Sequence, residues 1–346
     1  MNFSGTVRLN TLGICVIIAT LILFYVYVFS GSAFSRQETK SIVNLRKLLI
    51  TAIEVAEKGG KQVKLVRNET NLNKHSKGKT KEGAEMLVTN ADSRSHCVMY
   101  FGLEHTFPHL KVISEEQESS KLCDITQPVL DLDPASKEGL SELEDSNVFT
   151  DDITVWIDPL DATQEYTENL LEYVTTMVCV AYKGRPIIGV IHKPLETTPV
   201  TYWAWLDQGK SSSLQKLFST RKILEKTTAI VSRSHAGKVA NLAKGAFGSE
   251  TNVIPAGGAG YKTLAVIGGN ASLYVHMTQI KKWDICAADA ILQSLGGKMT
   301  TLQNELINYA SELEKVNEHG IVASVTDHDR FVNKLGEELL KYSVSS

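Results

Sequence analysis

Val155-Trp156-Ile157-Asp158-Pro159-Leu160-Asp161-Ala162-Thr163 decides how this 346-residue chain is read. A run of apolar and β-branched residues enters the segment, the composition of a buried strand. Pro159 then fixes its own φ and withdraws a backbone donor, so a tight bend is expected after the strand. The bend would turn Asp158 and Asp161 toward one side and free the Leu160 carbonyl from sheet pairing. Ala162-Thr163-Gln164-Glu165-Tyr166 reads as the first turn of a helix, whose unpaired N–H groups suit a phosphate. Two carboxylates and a carbonyl make half a shell for hard divalent cations, which want several oxygen ligands. Two such ions roughly 3.5–4 Å apart can clamp both the attacking and the leaving oxygen of a phosphoester. In isolation Asp-Pro-x-Asp is also a surface turn with Asp161 as a helix cap.

Its company favours the metal. Val112-Ile113-Ser114 leads into Glu115-Glu116, and Trp283-Asp284 opens a helical stretch over residues 285–295. Each acidic cluster therefore sits at a strand end or helix start, where a rigid scaffold can present it.

Trp156-Ile-Asp-Pro-Leu-Asp-Ala-Thr163, Trp283-Asp-Ile-Cys-Ala-Ala-Asp-Ala290, Leu87-Val-Thr-Asn-Ala-Asp92 and Ile113-Ser-Glu-Glu116 resemble, in order, the four motifs of the Mg²⁺-dependent, lithium-sensitive inositol monophosphatase superfamily. Asp161-Ala-Thr-Gln-Glu-Tyr-Thr167, Val231-Ser-Arg-Ser-His235, Gly257-Gly-Ala-Gly-Tyr-Lys262 and Lys281-Lys-Trp-Asp-Ile-Cys286 resemble its 3′-phosphoadenosine 5′-phosphate (PAP) phosphatase branch, in the membrane-anchored Golgi form. The resemblance covers residues 42–340. It implies a layered αβαβα sandwich of α+β and α/β character behind one transmembrane helix. It also implies two or three Mg²⁺ ions: Glu115, Asp158 and the Leu160 carbonyl on one, and Asp158, Asp161 and Asp284 on another. Asp92 and Thr163 would share the nucleophilic water, the carboxylate taking the hydroxyl proton. Ser232, His235, Gly258 and Lys262 match positions that hold the nucleotide. Ala162 stands where most relatives carry Gly, though the Golgi form also has Ala there, and its methyl group requires a negative φ.

The implied activity is that of a bisphosphate nucleotidase-type phosphomonoesterase, removing the 3′-phosphate of PAP to leave AMP. PAP is a by-product of sulfotransferases, so the activity would support sulfation. Lithium should inhibit by replacing one Mg²⁺, and a homodimer is the assembly common in the superfamily. Two other readings stand beside this one. An inositol monophosphatase-type activity would use the same scaffold, although the segments ending at His235 and Gly260 argue against it. A non-catalytic membrane scaffold would have been free to lose Glu115, Asp158, Asp161 and Asp284.

With 36 basic and 39 acidic side chains the chain has no global field to attract nucleic acid. A bisphosphate needs only local positive charge, for which Lys262, His235 and Arg233 are candidates. Residues 12–29 are apolar and uncharged, close to the roughly 20 residues that span a bilayer core. They are long for a signal-peptide core, and no A-x-A pattern follows. A cytoplasmic tail (1–11), a signal anchor (12–29) and a stalk (30–40) are expected. A catalytic part facing the Golgi lumen follows, in single-pass type II topology. Asn68-Glu-Thr70 and Asn270-Ala-Ser272 are then glycosylation acceptors. Of five cysteines, Cys15 lies in the apolar run, and Cys97, Cys123, Cys179 and Cys286 read as free buried thiols, a Cys97–Cys123 bridge having no framework spacing behind it.

Residues 42–57 have helical spacing, with Gly59-Gly60 as the stop. Residues 74–82 form a basic loop, solvated by composition and a flap over the metal site by resemblance. Asp92 is expected to cap a helix over 90–107. Trp203 and Trp205 read as core packing. A metal-binding α+β domain (41–200) and an α/β domain completing the site (201–346) account for the length.

Overall fold

The computed structural model describes residues 10–33, 41–79, 83, 85–116, 123, 130–133, 137, 139–233, 236–310 and 314–344. Residues 1–40 and 41–346 form separate units. In the first, α1 (Thr11–Ala33) contains no charged residue, and Leu12, Ile14, Ile18 and Phe24 are exposed along it. Among the described residues no helix is long and apolar enough to cross a membrane. The helix expected over 12–29 is present, and its role as a span is not shown.

In the second unit, β1 (Ile42–Asn44) leads into α2 (Leu45–Arg67), where the Asn44 side chain accepts the Lys47 N–H at 2.9 Å as N-cap. The helix does not stop at Gly59-Gly60 as its sequence suggests. A Cβ at Gly59 would lie 2.5 Å from Met99 of α3 (Asn90–Thr106), and one at Gly60 2.5 Å from His192. The glycines mark a close crossing that α2 can make only without side chains, and the helix carries on through it. The strands β2 (His75–Lys79) and β3 (Glu85–Val88) form an antiparallel hairpin where a solvated loop was expected.

Six strands then build the first sheet: β4 (Lys111–Ser114), β6 (Ile153–Asp161), β7 (Thr175–Tyr182), β8 (Arg185–Lys193), β9 (Val200–Trp205) and β10 (Gly209–Lys210), with β5 (Asn147–Phe149) pairing β1 apart from it. The order is β10-β9-β8-β7-β6-β4, antiparallel except for β4 beside β6. Side chains alternate across a strand, and here the alternation sorts them into two cores. Val155, Ile157, Val178, Val190, Trp203 and Trp205 face α2 and α3. Trp156, Met177, Cys179, Ile191 and Ala204 face the opposite way, onto α7 (Ala259–Ile267) and α8 (Lys282–Gln293).

The same two helices receive one face of the second sheet, β12-β11-β13-β17-β15, through Ile230, Tyr274, Met299, Ile321 and Ala323. Its strands are β11 (Thr228–Ser232), β12 (Asn252–Ala256), β13 (Leu273–His276), β15 (Lys298–Thr300) and β17 (Ile321–Ser324); α5 (Ser212–Ser219) precedes them in the chain, and β14 (Ile280–Lys281) pairs β16 (Val316–Asn317) apart from the sheet. Val231, Leu273, Val275 and Val322 face outward onto α6 (Ala236–Phe247) and α9 (His328–Val344). The layers are thus α, β, α, β, α, as expected. Around the middle layer, α8 lies so close to β8 that a Cβ at Gly189 would stand 2.2 Å from the Ala287 carbonyl oxygen.

The four cysteines beyond α1 are not free thiols. Cys97 of α3 is bonded to Cys123, and Cys179 of β7 to Cys286 of α8, with Cα–Cα separations of 5.5 and 5.6 Å. The partners lie 26 and 107 residues apart in sequence, and for Cys179–Cys286 it is the packing of α8 on the first sheet that brings them together. Cys15 is free and exposed.

Candidate active site

Strand β6 does not end at Asp158. It runs to Asp161 through a break in register, with Asp158 opposite Met177 and Asp161 opposite Thr175. Pro159 and Leu160 together face one residue of β7, which is a β-bulge, a device that re-aims side chains without ending the strand. The expected bend is this bulge. The freed carbonyls have near neighbours: Pro159 O accepts from Ser95 Oγ at 2.7 Å, and Leu160 O lies 3.1 Å from Thr163 Oγ1, whose one proton goes to Asp92.

The chain then turns within one residue into α4 (Thr163–Thr167), and Ala162 makes that turn at φ 70°, ψ 45°. The negative φ expected there is not found. The left-handed conformation costs a residue with a Cβ about 1–2 kcal/mol, and the immediate start of α4 requires it.

Thr163 Oγ1 donates to Asp92 Oδ1 at 2.9 Å, which brings together the two residues expected to share a water. Asp92 is not the helix cap. Thr89 is, and Asp92 closes the capping box from the third helical position, its Oδ2 accepting the Thr89 N–H and hydroxyl at 2.7 Å each. One carboxylate oxygen is thereby immobilised and the other is left for Thr163. Burial pushes the Asp92 carboxyl up to about 7 against those hydrogen bonds, and the charges of Glu116 and Glu115 add to it.

Glu115, Asp158 and Asp284 each bring one oxygen to within 4.8 Å of the other two. They arrive from the end of β4, the bulge of β6 and the first turn of α8. Desolvation, then the charge of Glu115 and Asp161, holds the Asp158 and Asp284 carboxyls well above the usual carboxylate range. An all-oxygen set of converging like charges is what a hard divalent cation fits. Asp161 faces the start of α7, accepting the Gly260 N–H at 2.9 Å and the Thr175 hydroxyl at 3.2 Å. Burial raises its carboxyl, and Lys262 and the α7 backbone N–H groups oppose the rise.

Sequence reasoning missed Lys77. From the β2–β3 hairpin its ammonium reaches Glu115 Oε1 at 3.1 Å and also pairs with Glu116. Burial disfavours its charge, but the two glutamates outweigh that and hold the amine above its ordinary range. The signal available was the run of lysines in 74–81, complementary to Glu115-Glu116.

Ser232, at the end of β11, Gly258, the N-cap of α7 at φ 61°, and Lys262 line one cavity of about 390 Å³ with Glu115, Asp158, Leu160, Asp161, Thr163 and Asp284. Lys262 is buried, its ammonium 5.0 Å from the Tyr274 ring centre, and burial lowers it to about 8 against the pull of Asp161. The same cavity is lined by Tyr274, His276 and Gln279, none of them singled out from sequence, and by Lys281, which the sequence offered only as the start of a motif. His235 lies outside the described residues. Arg233, a candidate for local positive charge, is paired with Glu165 at 3.0 Å and Glu168 at 2.8 Å. Asn68 and Asn270 are exposed and do not line the cavity.

Residues 44–340 match the inositol monophosphatase family. Inositol monophosphatase 3 of Danio rerio is 46% identical over 343 residues, covering 95% of this chain and 96% of its own. The Golgi-resident adenosine 3′,5′-bisphosphate 3′-phosphatase of Rattus norvegicus is 44% identical over 308 residues, 85% of this chain and 82% of its own. Among solved structures, CysQ from Bacteroides thetaiotaomicron, a bacterial member of the inositol monophosphatase family, superimposes with a TM-score of 0.57. It is 21% identical over 82% of this chain and 98% of its own, a likeness of fold.

Proposed function

This chain belongs to the inositol monophosphatase family, and we propose from that premise that it is a divalent-cation-dependent phosphomonoesterase acting on the 3′-phosphate of adenosine 3′,5′-bisphosphate. The observation that carries the proposal is the Thr163–Asp92 pair, whose hydroxyl shares one cavity with Glu115, Asp158 and Asp284. Glu115, Asp158 and Asp284, with Asp161 and the Leu160 carbonyl, would hold the ions, and Mg²⁺ suits such oxygen donors. When bound, such ions neutralise the phosphoester oxygens and stabilise the charge that develops on them.

The chain's own residues supply the proton path. Asp92, fixed by Thr89, accepts the proton of the Thr163 hydroxyl, which leaves the Thr163 oxygen to accept from a water. That water is then oriented with a lone pair free to attack phosphorus, as general-base logic requires. Lys262, with Asp161 beside it, adds positive charge on the second-sheet side, where Ser232 and Gly258 make room for the rest of the substrate.

The relatives' names divide between inositol monophosphatase 3 and a Golgi 3′-phosphatase at similar identity. The segments ending at His235 and Gly260 favour the nucleotide, and of these Ser232 and Gly258 line the cavity beside the acidic cluster. We place the protein in the Golgi membrane, anchored by residues 12–29 with residues 41–346 luminal. The Golgi-resident relative, two disulfides suited to an oxidising compartment, and exposed Asn68 and Asn270 support this. Residues 41–200 would carry most metal ligands and 201–346 would complete the site.

Phosphate release by the purified chain from adenosine 3′,5′-bisphosphate, a 2′-phosphonucleotide and inositol 1-phosphate, with and without Mg²⁺, tests the assignment. Turnover of the 3′,5′-bisphosphate that needs the metal is expected. Comparable turnover of inositol 1-phosphate would overturn the substrate.

A further inference from the structure

The Cys179–Cys286 bond joins the first sheet to the middle helices beside the acidic cluster. Cys286 lies two residues beyond Asp284 on α8. Cys179 lies opposite Trp156, two residues along β7 from Met177, the partner of Asp158. Both cysteines are buried. The bond therefore has one foot beside each of two carboxylates that stand, with Glu115, within 4.8 Å of one another. Like charges at that separation repel, and moving α8 off β6 and β7 would relieve the repulsion. The apolar core that α8 shares with this sheet, with Ala287 seated on Gly189, opposes that movement by contact alone. Among the described residues, the disulfide is the one covalent tie between this sheet and α8.

We propose that the Cys179–Cys286 bridge is a positioning element for cation binding, which keeps Asp284 within reach of Asp158 so that the ion meets a preassembled site. Preorganisation raises affinity because the cost of bringing the ligands together is met during folding. The inference rests on the reading of Glu115, Asp158 and Asp284 as a metal site. The bond takes no part in turnover. Its burial keeps it from reductant in the folded protein, so it acts once, when the chain folds in an oxidising compartment.

The test uses the full chain carrying Cys179→Ala and Cys286→Ala together. Mg²⁺ and Mn²⁺ binding is measured by titration calorimetry without substrate, and kcat is measured at saturating Mg²⁺. Dissociation constants about 10-fold or more above those of the parent are expected, the usual cost of removing a support behind metal ligands, with kcat at saturating metal largely kept. Val239→Ala, on the buried face of α6 in the outer core, destabilises the fold far from the site and serves as control. It should leave the metal constants unchanged. If the parent binds metal and the double variant binds it equally well, the positioning role is wrong. The same holds if Val239→Ala weakens binding as much. If the parent binds neither ion, the metal-site reading fails and the inference with it. Should the alanine pair not fold, Cys179→Val with Cys286→Ala restores volume without the bond, and the same comparison decides.

Discussion

Replacing Asp284 by asparagine removes one charge from the acidic cluster and keeps the side chain's shape. Its oxygen lies within 4.8 Å of oxygens from Glu115 and Asp158, where two full charges repel by about 3.5 kcal/mol at an effective dielectric constant of 20. The raised carboxyls of Asp158 and Asp284 show that bound protons already relieve part of this. The metal-free variant should then be about 1–3 kcal/mol more stable than the parent. For a unit of this size that is a rise in Tm of roughly 2–5 °C.

Thermal melts in EDTA and in saturating Mg²⁺ read the effect. The parent should gain stability on adding metal, since a ligand bound only by the folded state stabilises it. The variant should gain little and release no phosphate. The dependence on pH has a definite sign. A carboxyl whose folded pKa is raised contributes its stability below the unfolded value and loses it as pH rises through the folded one. In EDTA the parent should therefore weaken upward from the ordinary carboxylate range, and the variant should weaken less. A variant that melts below the parent in EDTA would refute the reasoning, because Asp284 would then be helping the fold without any ion.

Thr163→Ala should lower kcat by about 10²–10⁴ with little change in KM, and a raised KM with intact kcat would reject its role in orienting water. Asp289, buried in α8, accepts from Tyr309 at 2.9 Å and Gln293 at 2.8 Å and is raised by burial to about 7. Asp289→Asn should stabilise the protein above about pH 7, the gain shrinking toward about pH 4, and melts across that range that run parallel to the parent's would reject it. Asn68→Gln should reduce the glycosidase-sensitive mass of protein made in cells. Protease digestion of residues 41–346 in intact microsomes would remove the luminal placement.

What could be read in the sequence was what local composition controls. Val155 to Ile157 announce a strand, and Glu115, Asp161 and Asp284 announce themselves by standing at element ends, while Asp158 sits inside β6 at its bulge. The Thr163–Asp92 pairing and the layered fold came through the family resemblance, and the geometry agrees with both. Long-range partners were not legible. Gly59-Gly60 look like a stop until Met99 and His192 fill the space beside them. Cys179 and Cys286 look like ordinary core residues until α8 is laid on β7. Lys77 looks solvated until its hairpin folds back over Glu115. Ala162 is different in kind, since its composition argued for the wrong sign of φ and the demand of the turn overrode it.

Gly189 has a bearing on how inherited variation in this chain should be judged. By position it is an unremarkable core residue on a central strand, outside the cavity lining, and a substitution there would be sorted with lesions that lower protein abundance. Yet its missing side chain is the seat on which Ala287 rests, three residues from Asp284 on the same helix. That seat is backbone and cannot turn aside, so a Cβ at Gly189 would push α8 off the sheet and carry Asp284 away from Asp158 together with the fold it belongs to.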